Sequence, residues 1–198
     1  MYLKQFHHFI WDGDAYTLHC WKTINVKKQY GLERLYLLSF ILVISVFAFA
    51  YAFLGIINDA HKSDDYFWMF ILAFFSIYPI HKLFHYIPLF RLKGKVKFTV
   101  KLQFKVLPIF TIRVFEPINK NRFLFSLLSP FIFINIVLIT LAIGLPNFAH
   151  YFTILFAYHC GMCLIDLIYV KNLNKSPKKA FIEETDAGYE ILIASTGP

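Results

Sequence analysis

The sequence predicts an all-α membrane bundle of about four transmembrane helices carrying a small cytoplasmic β-ribbon. Three observations lead there. The 198 residues are 58% hydrophobic and only 16% charged, with 24 Phe and 12 Tyr, outside the balance that keeps a soluble domain wet. Four stretches of about 20 residues or more carry almost no charge, the length that crosses a hydrocarbon core as a helix. The Lys and Arg residues collect in alternate connections, as they do when one side of a bilayer retains them.

Taken in order, residues 1–34 mix aromatics with His and Lys without a clean period and are read as a cytoplasmic entry segment of undefined structure. Lys4, His7, His8, Asp12 and Asp14 interrupt any apolar run that a cleavable signal would need there. The first span is 35–57, between Arg34 and Asn58-Asp59. The second runs from Tyr66 to about Phe90, apolar through Ile80 and then holding His81, Lys82 and His85 ahead of Arg91. In the connection that follows, Val96, Phe98, Val100, Leu102, Phe104 and Val106 alternate with Lys95, Lys97, Thr99, Lys101, Gln103 and Lys105, a period-two strand with one apolar and one cationic face. A second β-branched run, 109–115, follows Leu107-Pro108 and completes a two-stranded ribbon over 95–115.

The third span is 123–145, with Pro130 near one end. The fourth is 147–170, stopped by Lys171 and holding His150, His159 and Asp166. Residues 171–198 form a cytoplasmic tail with a turn at Thr185-Asp186-Ala187-Gly188 and a short apolar run, 189–194. The chain thus divides into an entry segment (1–34), a four-helix transmembrane domain with its ribbon (35–170) and a tail (171–198).

Eighteen of the 20 Lys and Arg residues fall in the entry segment, the 91–122 connection and the tail, against Lys62 alone in the 58–65 loop. The positive-inside rule then places both termini and the central connection in the cytoplasm of a multi-pass cell-membrane protein. The formal charge of +8 has this topological origin, so the expected partner is the lipid bilayer and nucleic acid is not required. Cys20, Cys160 and Cys163 do not make a secreted disulfide framework, and free thiols are expected.

Ionisable side chains inside a span are costly and take a functional reading with a named partner. His81 and His85 stand one helical turn apart on one face, the H-x-x-x-H spacing with which two imidazoles reach one tetrahedral metal; the bland alternative is a pair of interfacial anchors or pore-lining groups. Asp166 and His85 each lie about five residues, roughly 7–9 Å, inside the same boundary, so a shared site is expected. An ion pair between Asp166 and Lys82 is the competing reading. His159, seven residues before Asp166 on about the same face, is a fourth ligand or a group that orients one. Cys160-Gly-Met-Cys163 is read as small packing residues beside Gly161, with a thiolate ligand as the alternative.

The H-x-x-x-H ending the second span, the strand-rich connection, Ser129-Pro130, and His159 through Cys163 to Asp166 followed by Ser176-Pro177-Lys178 and Glu183-Glu184-Thr185 resemble the membrane zincin-like peptidases. These are bacterial integral membrane proteins of largely undefined function, related in plan to site-2 proteases. The resemblance implies a zinc ion held by His81 and His85 with Asp166 or His159 completing the site. In that family a glutamate follows the first histidine and moves the proton of the zinc-bound water. Here Lys82 stands at that position, and a charged lysine accepts no proton. The expectation is therefore a catalytically degenerate zincin-like pseudoenzyme that binds a membrane-protein substrate or partner. An active intramembrane metallopeptidase with an atypical base, for which Glu116 is the candidate, is one alternative; a small proton or ion transporter or channel component is the other.

Overall fold

The computed structural model describes residues 7–11, 14–57, 60–92, 94, 96–103, 107–185 and 188–194. Strands β1 (His7–Trp11) and β2 (Asp14–Ile24) lead into a short helix, α1 (Val26–Tyr30). Then come α2 (Leu32–Ile57) and α3 (Phe67–Tyr86), the latter prolonged by a 3-10 turn, Ile87–Leu92. Strands β3 (Val96–Gln103), β4 (Leu107–Val114) and β5 (Ile118–Asn119) precede α4 (Lys120–Gly144). Helices α5 (Ala149–Met162) and α6 (Leu164–Asn174) are followed by strands β6 (Ala180–Thr185) and β7 (Gly188–Ala194).

Three helices, α2, the α3 stretch to Leu92, and α4, are long and apolar enough to cross a membrane. The fourth apolar run is broken: α5 and α6 meet at a 45° bend. Beside the bend lies packing that a hydropathy pattern does not reveal. Ser39 of α2 donates its hydroxyl to the Gly161 carbonyl at 2.7 Å, and Ser39 and Val43 occupy the space where a Cβ on residue 161 would sit. α2 therefore presses on backbone at the turn where the axis changes, the close approach that small residues permit between helices.

The strands β3 and β4 pair antiparallel from Val96↔Val114 to Gln103↔Leu107, matching the expected ribbon. Lys95, Phe104, Lys105 and Val106 lie outside the described residues, as do the side chains of 97–112 on which the two-faced reading rests. Asn58-Asp59 and the turn residues Asp186 and Ala187 lie outside them too. The flanks depart from the all-α expectation. Both contribute to an antiparallel five-stranded sheet in the order β1-β2-β7-β6-β5, so the fold is mostly helical with two antiparallel sheets. β2 pairs with β7 from Leu18↔Ala194 to Ile24↔Tyr189, uniting the entry segment with the tail. Gly188 opens β7 at φ 129°, and a Cβ there would strike the Ile24 carbonyl, so glycine serves both the turn and the close strand approach.

Two cores result. In one, Ile182 and Ile191 of the sheet and Ile24 pack on Leu89, Phe123, Leu127 and Leu173, closing one end of the bundle. In the other, Ile77, Ile134, Leu138 and Leu155 join α3, α4 and α5. The outer faces stay apolar, with Ile56 85%, Trp68 80% and Phe49 76% exposed. Side chains of that kind call for lipid or another protein rather than water.

Candidate metal centre

The site sits between the two cores. α3 presents His81 and His85 on its buried face, and α4 ties itself to the end of that helix. Ser126 and Ser129 donate their hydroxyls to the carbonyls of His85 and Phe84, which the change to a 3-10 turn leaves short of helical partners. α5 brings His159 and α6 brings Asp166, just beyond the bend.

Three atoms converge. His81 Nε2 and His85 Nε2 are 3.0 Å apart, and Asp166 Oδ2 is 3.3 Å from the first and 3.4 Å from the second. His81 is 1% exposed and His85 7%. The hydrogen bonds around the triangle assign its protons. His85 Nδ1 lies 2.8 Å from the Ser126 carbonyl, which only accepts, so Nδ1 carries the proton and Nε2 a lone pair. Asn135 donates through its amide nitrogen to Cys160 Sγ, so its oxygen accepts from His159 Nδ1 at 2.7 Å and His159 Nε2 is left with a lone pair. With the His81 proton on Nδ1, 3.2 Å from that nitrogen, His81 Nε2 is bare as well. In that tautomer two imidazole lone pairs and a carboxylate oxygen face one another with no proton between them. They repel unless a cation lies among them. A tetrahedral zinc with bonds of about 2.0–2.1 Å would set its ligand atoms about 3.3–3.4 Å apart, which matches the triangle within a few tenths of an ångström.

Of the residues expected at the site, His81, His85 and Asp166 come together at one point. His159 is joined to the other nitrogen of the His81 ring and contacts that histidine rather than Asp166. The carboxylate of Asp166 lies within 3.4 Å of both histidine nitrogens. All three cysteines are free, as expected.

The triangle opens on a cavity of about 200 Å³ lined by Lys82, His85, Ser126, Asp166, Glu184 and Tyr189. Glu116, which the sequence reading offered as a base, is exposed after β4 and is not among the lining residues. The carboxylate that enters the cavity is Glu184 of β6, its Oε2 held by the Val114 N–H at 3.3 Å. Burial pushes the Glu184 carboxyl above its ordinary value, against the opposite pull of the Val114 N–H and the charges of Arg113 and Lys82. Burial likewise pushes the Tyr189 phenol well up. The run Glu183-Glu184-Thr185 figures in the family resemblance, but nothing in it singles out Glu184 as a cavity residue, because its strand is placed by pairing with β5 and β7.

The family model described as "Putative zincin peptidase" matches residues 74–181, more than half of the chain. No curated protein and no solved structure matches the chain. The matched segment contains His81, His85, Ser126, Asn135, His159 and Asp166 and stops three residues short of Glu184.

Proposed function

The chain belongs to the family described as "Putative zincin peptidase", and from that premise we propose that it is an integral membrane metallopeptidase that uses an atypical base. The observation that carries this reading is the triangle of His81, His85 and Asp166 opening on the same cavity as Glu184. The apolar helices support a multi-pass membrane protein, and the Lys and Arg distribution supports cytoplasmic termini, with the site toward the inner boundary.

The donor set of two imidazoles and a carboxylate is one that suits zinc with an open position. Zinc bound there supplies Lewis acidity and lowers the pKa of a coordinated water. Glu184 takes the part that Lys82 does not: its carboxyl accepts the proton of the attacking water and returns it to the leaving amine nitrogen. The Val114 N–H fixes that carboxyl through Oε2. Lys82, on the same cavity wall, supplies positive charge to the oxygen that becomes negative as the carbonyl is attacked. Ser126 and Ser129 hold the end of α3 so that both histidines keep their facing.

Lys82 also favours a second reading, a degenerate zincin that holds metal and binds a membrane-protein partner. Zinc content and cleavage of a transmembrane reporter, measured in detergent for wild type, Glu184→Gln and His85→Ala, separate the two. The wild type is expected to hold zinc and cleave. Glu184→Gln should keep zinc and lose about 100-fold or more in rate, and His85→Ala should lose both. A zinc-loaded wild type that cleaves nothing would establish the partner-binding reading instead. A wild type without zinc would leave the histidines and Asp166 as groups of a proton or ion pathway.

A further inference from the structure

His81 has a second nitrogen, and it too faces a set of donors. His81 Nδ1 lies 3.2 Å from His159 Nε2 and 3.8 Å from Cys163 Sγ, and the sulfur is 3.5 Å from His159 Nε2. A cation bonded to two nitrogens at about 2.0 Å and a sulfur at about 2.3 Å would set these atoms about 3.4–3.8 Å apart. The three residues are enclosed, with His81 1%, His159 0% and Cys163 0% exposed. From this geometry we propose a second metal site, formed by His81 Nδ1, His159 Nε2 and Cys163 Sγ, that takes a soft monovalent cation of the copper(I) class and excludes metal from the His81, His85 and Asp166 triangle.

The choice of cation follows from charge and softness. Two neutral imidazoles and one thiolate carry a single negative charge, so a monovalent ion leaves the buried site neutral. A divalent ion would leave a net positive charge enclosed in the bundle at considerable cost. A thiolate with two imidazoles also selects copper(I) over magnesium, calcium or manganese. Three donors without a carboxylate suit an ion content with low coordination.

The exclusion follows from counting protons. His85 and His159 each have their proton fixed on Nδ1, toward the Ser126 carbonyl and the Asn135 amide oxygen. His81 stands between them with one proton of its own. With that proton on Nδ1 it bonds His159, and the gap beside His85 and Asp166 holds two lone pairs and a carboxylate. With the proton on Nε2 it bonds Asp166 or His85, each within 3.3 Å, and the gap beside His159 and Cys163 holds two imidazole lone pairs and a thiol whose proton the ion displaces. Binding the soft ion therefore releases the Cys163 thiol proton and moves the His81 proton from Nδ1 to Nε2. The arrangement is a selector: a single tautomeric shift determines which of two chemically different metals the helix bundle accepts.

The test uses the full chain in detergent, freed of metal and kept anaerobic. Copper(I) is supplied from a weaker competing chelator and zinc as the free ion. Metal is quantified after desalting, and the copper environment is read by X-ray absorption. The wild type should take up one copper(I) per chain, with a sulfur and two nitrogens around it, and should lose bound zinc in equal amount as copper is added. Cys163→Ser should lose copper(I) affinity by at least about 10-fold while retaining zinc, which also shows that the variant folds. Asp166→Asn should do the reverse, and Cys20→Ser, at the exposed cysteine of β2, should change neither. Copper(I) binding that survives Cys163→Ser, or a copper environment without sulfur, would overturn the site. One zinc and one copper(I) held together on each chain would overturn the exclusion.

Discussion

At the scale of single residues, Lys82 and Glu184 line one cavity, and the lysine alters the titration of the glutamate. Lys82 pulls the Glu184 carboxyl down against the upward push of burial. Lys82→Met removes that pull, so Glu184 should hold its proton to higher pH. A base acts only when deprotonated, and the acid limb of the pH–rate profile for reporter cleavage should therefore move to higher pH in Lys82→Met. An acid limb that stays in place would remove Glu184 from the role of base. Much of the triangle was legible beforehand. His81 and His85 are neighbours on any helix, and Asp166 shares their depth in any four-span topology. Glu184 was legible only as part of the Glu183-Glu184-Thr185 run, and its place at the cavity was not, because a strand residue reaches it only through pairing that no local pattern encodes. The fate of His159 was half legible: the sequence offers it as a fourth ligand or an orienting group on the face of Asp166, whereas a 45° bend separates the two and side-chain geometry shows that it addresses Nδ1 of His81 rather than Nε2.

At the scale of elements, the long uncharged runs and the period-two ribbon translate directly into α2, α3, α4 and the β3–β4 pair, since each is a local pattern with its own period. The break between α5 and α6 escapes that logic. No proline stands there, and the bend goes with α2 meeting the Gly161 backbone through Ser39 and Val43. Gly161→Val should therefore force the two helices apart, costing about 1–3 kcal/mol. It should also displace Asp166, which lies five residues on. The checks are thermal unfolding in detergent and zinc content. A variant as stable as the wild type, with zinc unchanged, would show that the close contact does not set the bend. The sheet was not legible for a related reason. β2 carries a mixture of apolar and polar residues and β7 a short apolar run, and only their partnership across the length of the chain shows them to be strands of one sheet.

At the scale of the whole molecule, the helices bring apolar surface outward while the sheet and the ribbon collect near the end where the lysines and arginines are concentrated. The topology proposed from that asymmetry is open to direct test. In a chain stripped of its native cysteines, a single cysteine at Ser63 should react with a membrane-impermeant reagent applied to intact cells, and one at Lys101 should not. Labelling at position 101 alone would invert the orientation. The pairing of β2 with β7 has a further consequence, one of timing. A ribosome delivers β2 first, then every apolar helix, and β6 and β7 only after the last of them. The histidines and Asp166 are thus synthesised before Glu184, and the hairpin that bears it docks on a strand made near the start of synthesis. For the peptidase proposed above, this order keeps the half-inserted chain without its proton acceptor until the last strands are made.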